Sequence, residues 1–464
     1  MMQHIHLIGI GGSGLSPIAR VLLESGYTVS GSDRQLSVFA NELAQSGATV
    51  FEGHRAQQIA GADVVVRSSA VGDDNIEVLA ARSAGIPVLK RSEFLGQLLS
   101  DKTTLAIAGT HGKTTTTAMA AWVFHCLGKD PSYIIGGVSK NLSRNAHAGQ
   151  GKYFIIEADE YDRMFLGLSP EWILITHLEH DHPDCYPTMN EYRQAFVDFL
   201  QRLQPGGGLI TCLDHPETAG LVWHLPPGRK AWTYGLNDKA NYFTEDTSSN
   251  TRGGMDFKAC YHENEEDCNL MAAVELKVPG LHNVRNALAV LALVHRLGLP
   301  VKPAAQALSE FSGTNRRFEL MGEVNGITIY SDYAHHPTEI RATLAAARQR
   351  YPRRRIWAVW QPHTYSRTQA LFDAFIQSFH HADRVLVTEI YAARESNPGI
   401  SAARIVAEMV QPPTWFAPSL EDAVIFLLDE LQAGDVVLIL SAGDADQIGL
   451  KLLEELGSGE EAHV

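Results

Sequence analysis

Leu105–Met119, LAIAGTHGKTTTTAM, decides the fold of this chain. The apolar run Leu105 to Ala108 reads as a buried strand, and a small loop follows that holds Gly109, Thr110, His111, Gly112 and Lys113. Four threonines, Thr114 to Thr117, then open the helix-forming run AMAAWVFHCL. A strand, a glycine loop and a helix beginning at Lys-Thr make a cradle for phosphate. Glycines let backbone N–H groups point inward, the helix N-terminus adds partial positive charge, and Lys113 adds a full one. The Thr114 hydroxyl is placed to ligate Mg²⁺, with Thr115 beside it. The longer form of this loop has glycine where Ile107 stands, so the match is to the shorter GTxGKTT form. An ordinary glycine turn is the plainer alternative, but strand, Gly-Lys-Thr and helix coincide here.

Two acidic strand ends follow. Tyr153 to Ile156 reads as a strand ending in EADEYD, which crowds Glu157, Asp159, Glu160 and Asp162 into one loop. So many carboxylates together need a cation or a basic partner. Trp172 to Thr176 ends in HLEHDHPDCY, with His177, Glu179, His180, Asp181 and His182. That cluster has ligands for zinc but no cysteines of a structural zinc site. Mg²⁺ held by a few ligands and phosphate oxygens suits it better.

Upstream, His4 to Ile10 reads as a parallel strand entering GIGGSG, with Gly9, Gly11, Gly12 and Gly14 in the turn. A helix, a second strand and Asp33 complete a dinucleotide fingerprint. Alone it fits a nicotinamide or flavin cofactor and an NAD-dependent oxidoreductase. Any pyrophosphate satisfies the same N–H groups. Strands Ala62 to Arg67 and Ile86 to Leu89 continue the βα alternation and lead to SSAV and KRSEF. Arg91 in the latter reads as a solvated cation.

Residues 241–280 turn polar and suggest a hairpin or mobile loop, followed by strand-like KACYH and AAVELKV. His282, Asn283 and Asn286 open a buried helix, where capping is the simplest role. Beyond Phe311, strands Thr328 to Ser331, Ile356 to Trp360, Arg384 to Thr388 and Val436 to Leu440 alternate with helices Pro337 to Arg350 and Gln369 to His380. Polar clusters at these strand ends point to a cleft. The tail GSGEEAHV is expected to be disordered.

The 464 residues carry a net charge of −15, which disfavours nucleic acid and anionic lipid as partners. Five scattered cysteines without a CxxC pair suit a reducing compartment, and MMQHIHLIGIGG lacks the basic start of a secretory signal. No apolar run approaches membrane-spanning length. The expected setting is the cytoplasm.

Taken together, AGTHGKTTT, IEADEYD, LEHDHPDCY, GLHNVRNA, GTNRRFE, SDYAHHPTEI and QPHTYSRT resemble the Mur ligases in order and spacing, end to end. The resemblance implies an α/β chain of three domains. These are an N-terminal Rossmann-like domain over 1–99, a central P-loop ATPase-like domain over 100–314, and a C-terminal Rossmann-like domain over 315–464. It implies an ATP-dependent, ADP-producing amide-forming enzyme of peptidoglycan synthesis. GIGGSGLSPIA, KRSEF and EIYAARE look most like the member that joins L-alanine to UDP-N-acetylmuramate. The member that joins a ready-made tripeptide to the same nucleotide sugar is the alternative. A monomer or homodimer is implied.

On this resemblance the first glycine turn takes the UDP diphosphate, with Ser32, Asp33, His54, Ser69 and Arg91 around the nucleotide. Gly109 to Thr115 cradle ATP, and Lys113 holds its β- and γ-phosphates. Thr114, Glu157 and His182 ligate Mg²⁺. His282, Asn283, Asn286, Arg317 and Asp332 bind the rest of ATP. His335, His336, His363 and Arg367 line the amino-acid side, and His335, His336 or His363 takes the amine's proton. Lys113, Glu157, His182, Arg317 and His335 are the implied catalytic set. The chain departs from the family's usual pattern at His177, where asparagine is common, at Ser331, and in SAGDAD. Ligand motifs spread over three units imply that the third domain closes over the other two.

Overall fold

The computed structural model describes residues 3–263 and 267–458. It contains three sheets of five, ten and six strands. The first has the order Thr49–Glu52, Thr28–Asp33, His4–Ile8, Val64–Arg67, Val88–Lys90, all parallel. This is the order of a nucleotide-binding half-fold, and its crevice lies at the carboxyl ends of the central strands. Ile5, Leu7, Val65 and Val66 are fully buried because helices cover both faces of the sheet.

The second sheet is built on Thr103–Ala108, flanked by Trp172–Ile175 and Tyr153–Glu157. Their register pairs Ile107 with Glu157 and Ala108 with Ile175. The cradle, EADEYD and HLEHDH therefore leave the sheet side by side. The polar stretch 243–254 is the hairpin of the two alternatives and not a mobile loop, and strands follow it as expected. Tyr242–Ser249, Met255–His262 and Cys268–Glu275 form an antiparallel extension of this sheet, with Phe257 and Val274 buried beneath it. Polar residues alternate outward there, which mimics loop composition.

The third sheet places Val436–Leu440 between Ile327–Asp332 and Ile356–Trp360, and all five of its residues are buried. The expected helix Gln369 to His380 is instead two short ones, Tyr365–Ala370 and Phe372–Ile376. Thr364 caps the first by accepting the Arg367 N–H. The step at Leu371 lets Phe375 and Phe379 both pack on Trp360. Of the C-terminal tail, Gly457 and Ser458 close the helix Asp446–Ser458, and 459–464 lie outside the described residues.

The seams between units differ in kind. Ile18 and Leu22 of the first unit share one apolar cluster with Phe154, Ile156 and Phe165 of the second. Gly96 and Gly167 allow this, since a Cβ on either would collide with the other segment's backbone. The third unit has its own apolar clusters on the two faces of its sheet and meets the second through charged and polar groups.

Candidate active site

The cradle forms as its sequence dictates. Gly109 and Gly112 have φ of +134° and +81°, a region that disfavours side chains, and the helix Lys113–Cys126 starts directly after them. Lys113 Nζ donates to the Gly109 and Thr110 carbonyls (2.5 and 3.2 Å) and to Glu160 Oε1 (2.8 Å). Burial works against its charge, but Glu160 and Glu157 outweigh it and raise the pKa. Thr110 is turned inward, its hydroxyl donating to the Glu179 carbonyl.

The acidic loop is neutralised piece by piece. Glu157 Oε1 accepts the Thr114 hydroxyl (3.0 Å) and Oε2 the Gly136 N–H (2.6 Å). Its burial pushes the carboxyl pKa up. Glu160 is buried too, yet Lys113 and His182 hold its pKa down, and its Oε2 has no hydrogen-bond partner among the described residues. Asp159 pairs with Arg91 at 2.9 Å. Arg91 is thus not a solvated cation. It lies against the first glycine turn, where a Cβ on Gly14 would strike its guanidinium.

HLEHDH does not stay together as one ligand cluster. His180 turns away to the Tyr186 carbonyl (2.7 Å), and His182 Nε2 lies 3.6 Å from Glu160 Oε1. Glu179 instead joins His111, His336 and Thr338 (3.0 Å). His111 Nδ1 also meets Glu339 Oε1 at 3.1 Å. Burial disfavours a charged His111, but Glu339 and Glu179 outweigh it and raise its pKa to about 9. Asp181 takes both Nε and Nη2 of buried Arg367 (3.0 and 2.8 Å). Arg367, expected on the amino-acid side, therefore bridges the second and third units.

A cavity of about 260 Å³ opens between those units. His111, Gly112, Thr114, Thr115, His282, Asn283, Asn286, Arg317 and Asp332 line it, all expected around ATP. Asn283 does not cap its helix. Its amide donates to the Pro279 carbonyl (2.7 Å), and Gly280 holds the cap position without a side-chain bond. Asn286 leans on Gly112. Arg317 stacks on Tyr333 and reaches Glu339 (3.4 Å). Asp332 accepts N–H groups from Phe318 and Ala334, and burial lifts its pKa to about 6. Cys212, Asp214, His215 and Tyr234 complete one end, and no motif marked them. His177 lines the same cavity, its ring tilted against that of His215 with centroids 4.3 Å apart.

His335 and His363 are weak bases here. Burial drives the His335 pKa to about 3 and the His363 pKa to about 4. Such rings hydrogen-bond but do not take up an amine's proton at neutral pH. His336 caps the helix Pro337–Arg350, its Nδ1 accepting the Thr338 N–H.

A second cavity, about 150 Å³, runs from Ser13, Gly14 and Arg91 to Glu157 and Asp159. The Thr114–Glu157 bond stands between the two cavities. In the first unit Asp33 Oδ2 accepts the Gly11 N–H (2.9 Å), and Ser32 meets His54 (2.9 Å). Gly9 takes φ +88°, and Gly12 sits inside the turn, its N–H donating to the Gly9 carbonyl. Ser69 is exposed at the rim, and its neighbour Ser68 packs against Gly9.

Known proteins match along the whole chain. Family models match residues 4–103 (Mur ligase family, catalytic domain), 107–294 (Mur ligase middle domain) and 316–443 (Mur ligase, glutamate ligase domain). A UDP-N-acetylmuramate–L-alanine ligase of Acidobacterium capsulatum is 41% identical, covering 98% of each chain. One of Syntrophus aciditrophicus is 40% identical over 99% of this chain and 95% of its own. Among solved structures, a UDP-N-acetylmuramate–alanine ligase of Thermotoga maritima gives a TM-score of 0.81 at 30% identity, covering 99% of this chain and 100% of that one. A murein peptide ligase of Psychrobacter arcticus gives 0.71 at 28%, covering 98% and 99%.

Proposed function

Since this chain belongs to the Mur ligase family of ATP-dependent ligases, we propose that it joins L-alanine to the muramoyl carboxylate of UDP-N-acetylmuramate in the cytoplasm, as a step of peptidoglycan precursor synthesis. The observation that carries this reading is the meeting of two cavities at the Thr114–Glu157 bond. ATP lies in the larger one, between the second and third units. The nucleotide sugar runs from the first glycine turn along the smaller one, which brings its carboxylate to the cradle.

A carboxylate does not acylate amines, because its oxygen is a poor leaving group. Transfer of the γ-phosphoryl group from ATP gives an acyl phosphate and ADP; the alanine nitrogen then adds to the acyl carbon, the C–O bond to phosphate breaks, and the leaving phosphate takes up the nitrogen's proton. The first step brings anions together, so charge neutralisation dominates it. Lys113 moves from Glu160 to the β- and γ-phosphates, and Arg317 faces them from the third unit. The helix N-terminus after Gly112 adds its N–H groups. Thr114 Oγ1 and the Glu157 carboxylate are hard oxygen donors that suit Mg²⁺, and the unpartnered Glu160 Oε2 leaves acceptor capacity beside them. His182 is the third candidate ligand. When bound, the ion offsets phosphate charge during transfer.

The weak basicity of His335 and His363 fits positioning of the amine rather than proton uptake. Docking of the third unit keeps water from the acyl phosphate. The deciding experiment offers ATP, Mg²⁺ and UDP-N-acetylmuramate with L-alanine and the tripeptide in competition, and reads phosphate release and product mass. The alanyl product is expected. Exclusive tripeptide product would move the chain to the other member, and nicotinamide reduction without phosphate release would discard the ligase reading.

A further inference from the structure

The first unit buries a carboxylate that the motif reading leaves without a task. Glu77 opens the helix Ile76–Ser83 and is 0% exposed. Its Oε2 accepts the Ser32 hydroxyl (2.5 Å) and faces His54 Nδ1 at 3.0 Å. Its Oε1 lies 3.3 Å from Nε2 of His6, which is also fully buried and bonded through Nδ1 to Ser30 Oγ (2.8 Å). Burial works to protonate Glu77, but His6 and Ser32 outweigh it and hold the pKa below the ordinary value.

An ionised carboxylate only accepts hydrogen bonds, so the nitrogen facing it carries the proton. Ser32 gives its single proton to Glu77 and is an acceptor toward His54 Nδ1 (2.9 Å). Both neighbours therefore demand Nδ1–H on His54. Among the described residues the other ring nitrogen, Nε2, has no hydrogen-bond partner, and it is not sealed off from solvent.

We propose that Glu77 is a positioning residue for the nucleotide sugar: it locks His54 in the Nδ1–H form, so that Nε2 offers a lone pair to a hydrogen-bond donor of the nucleoside. The donor is a ribose hydroxyl or the base imide N–H, and phosphate, which has only acceptors, is excluded. This rests on reading the first glycine turn as the UDP site.

The test has two arms. Nitrogen-15 spectra of histidine-labelled full-length protein, with His54→Gln for assignment, are expected to show Nδ1–H at His54. In Glu77→Gln the ring should move toward the commoner Nε2–H form. The second arm titrates UDP, its 2′-deoxy and 3′-deoxy forms, and its N3-methyl form. In wild type the form lacking the contacted donor should bind about tenfold more weakly, the worth of one hydrogen bond. Glu77→Gln should bind UDP about tenfold more weakly and no longer discriminate. Its KM for the nucleotide sugar should rise while kcat and the KM for ATP hold. An Nε2–H ring in wild type, equal binding of all four nucleotides, or unchanged UDP affinity in Glu77→Gln would overturn the proposal. Failure of wild type to bind UDP would instead overturn the site reading beneath it, while the spectra still decide the tautomer.

Discussion

The two seams of this molecule are built from opposite materials. Between the first and second units the contact has a hydrocarbon core, Ile18, Leu22, Phe154, Ile156 and Phe165 in one cluster, beside the Arg91–Asp159 pair. Between the second and third it is ionic and polar: His111 with Glu339, Asp181 with Arg367, and Glu179 with the Thr338 hydroxyl. An apolar seam loses its whole buried area on opening and so behaves as part of one core. A polar seam exchanges its partners for water or ligand at small net cost. The third unit is therefore the part expected to move, and three groups at its seam, His111, Thr338 and Glu339, also line the cavity proposed for ATP. Docking and ligand binding draw on the same charges.

The largest effect tests the ionic seam. Asp181→Asn leaves Arg367 buried without its counter-charge, a loss of about 3–5 kcal/mol if the seam stays shut. Opening relieves it, so the expected result is a larger radius of gyration in solution scattering with little change in the melting of the first two units. An unchanged radius with a lowered global melting temperature would make the two seams equivalent. Lys113→Met separates cradle charge from docking. We expect kcat to fall about 10²- to 10³-fold, as for loss of one transition-state charge contact, with the scattering curve unaltered.

A pH series sharpens the contrast. His111 has its pKa raised from 6.5 to about 9 by Glu339 and Glu179 against the pull of burial. Opening removes Glu339 but leaves Glu179 in the same unit, so a His111 pKa raised on docking favours the docked form at lower pH, and that contribution is lost as pH rises through about 9. Wild type should open progressively as pH rises through neutrality toward about 9, and His111→Gln should be insensitive to pH there. The readout is interdomain distance by fluorescence transfer, since turnover would also report the cavity.

What the sequence disclosed follows from the range of the interactions. Buried parallel strands announce themselves as apolar runs, so Val436–Leu440 and Thr103–Ala108 are legible. Glycines at positive φ mark both turns. The ionic seam is illegible because its partners are remote: Glu179 is 159 residues from Thr338 and Asp181 is 186 from Arg367. Nothing local tells that Glu179 and Asp181 dock a domain while His180, between them, turns back to Tyr186. The same distance hides Asp159 from Arg91, 68 residues apart, which made the arginine read as solvated. Asn283 misleads differently. Its position near a helix start suggests a cap, but the backbone turn at Gly280, φ +92°, already sets the entry and frees the amide for Pro279.

The smallest predicted effect tests the apolar seam at its closest approach. A Cβ on Gly167 would lie against the Ser92 carbonyl, so Gly167→Ala must push the helix Arg91–Leu98 away from the second unit. Backbone cannot fold aside as a side-chain tip can, so the cost is that of overpacking, about 1–3 kcal/mol. Because Arg91 begins that helix, the same displacement should lengthen its reach to Asp159 and to the Gly14 turn. The expected signature is a lower melting temperature, a raised KM for the nucleotide sugar, an unchanged KM for ATP, and no change in the pH dependence of interdomain distance. A shift in that pH dependence would mean strain crosses from one seam to the other. The second unit would then be a lever between two moving parts rather than a fixed base with one.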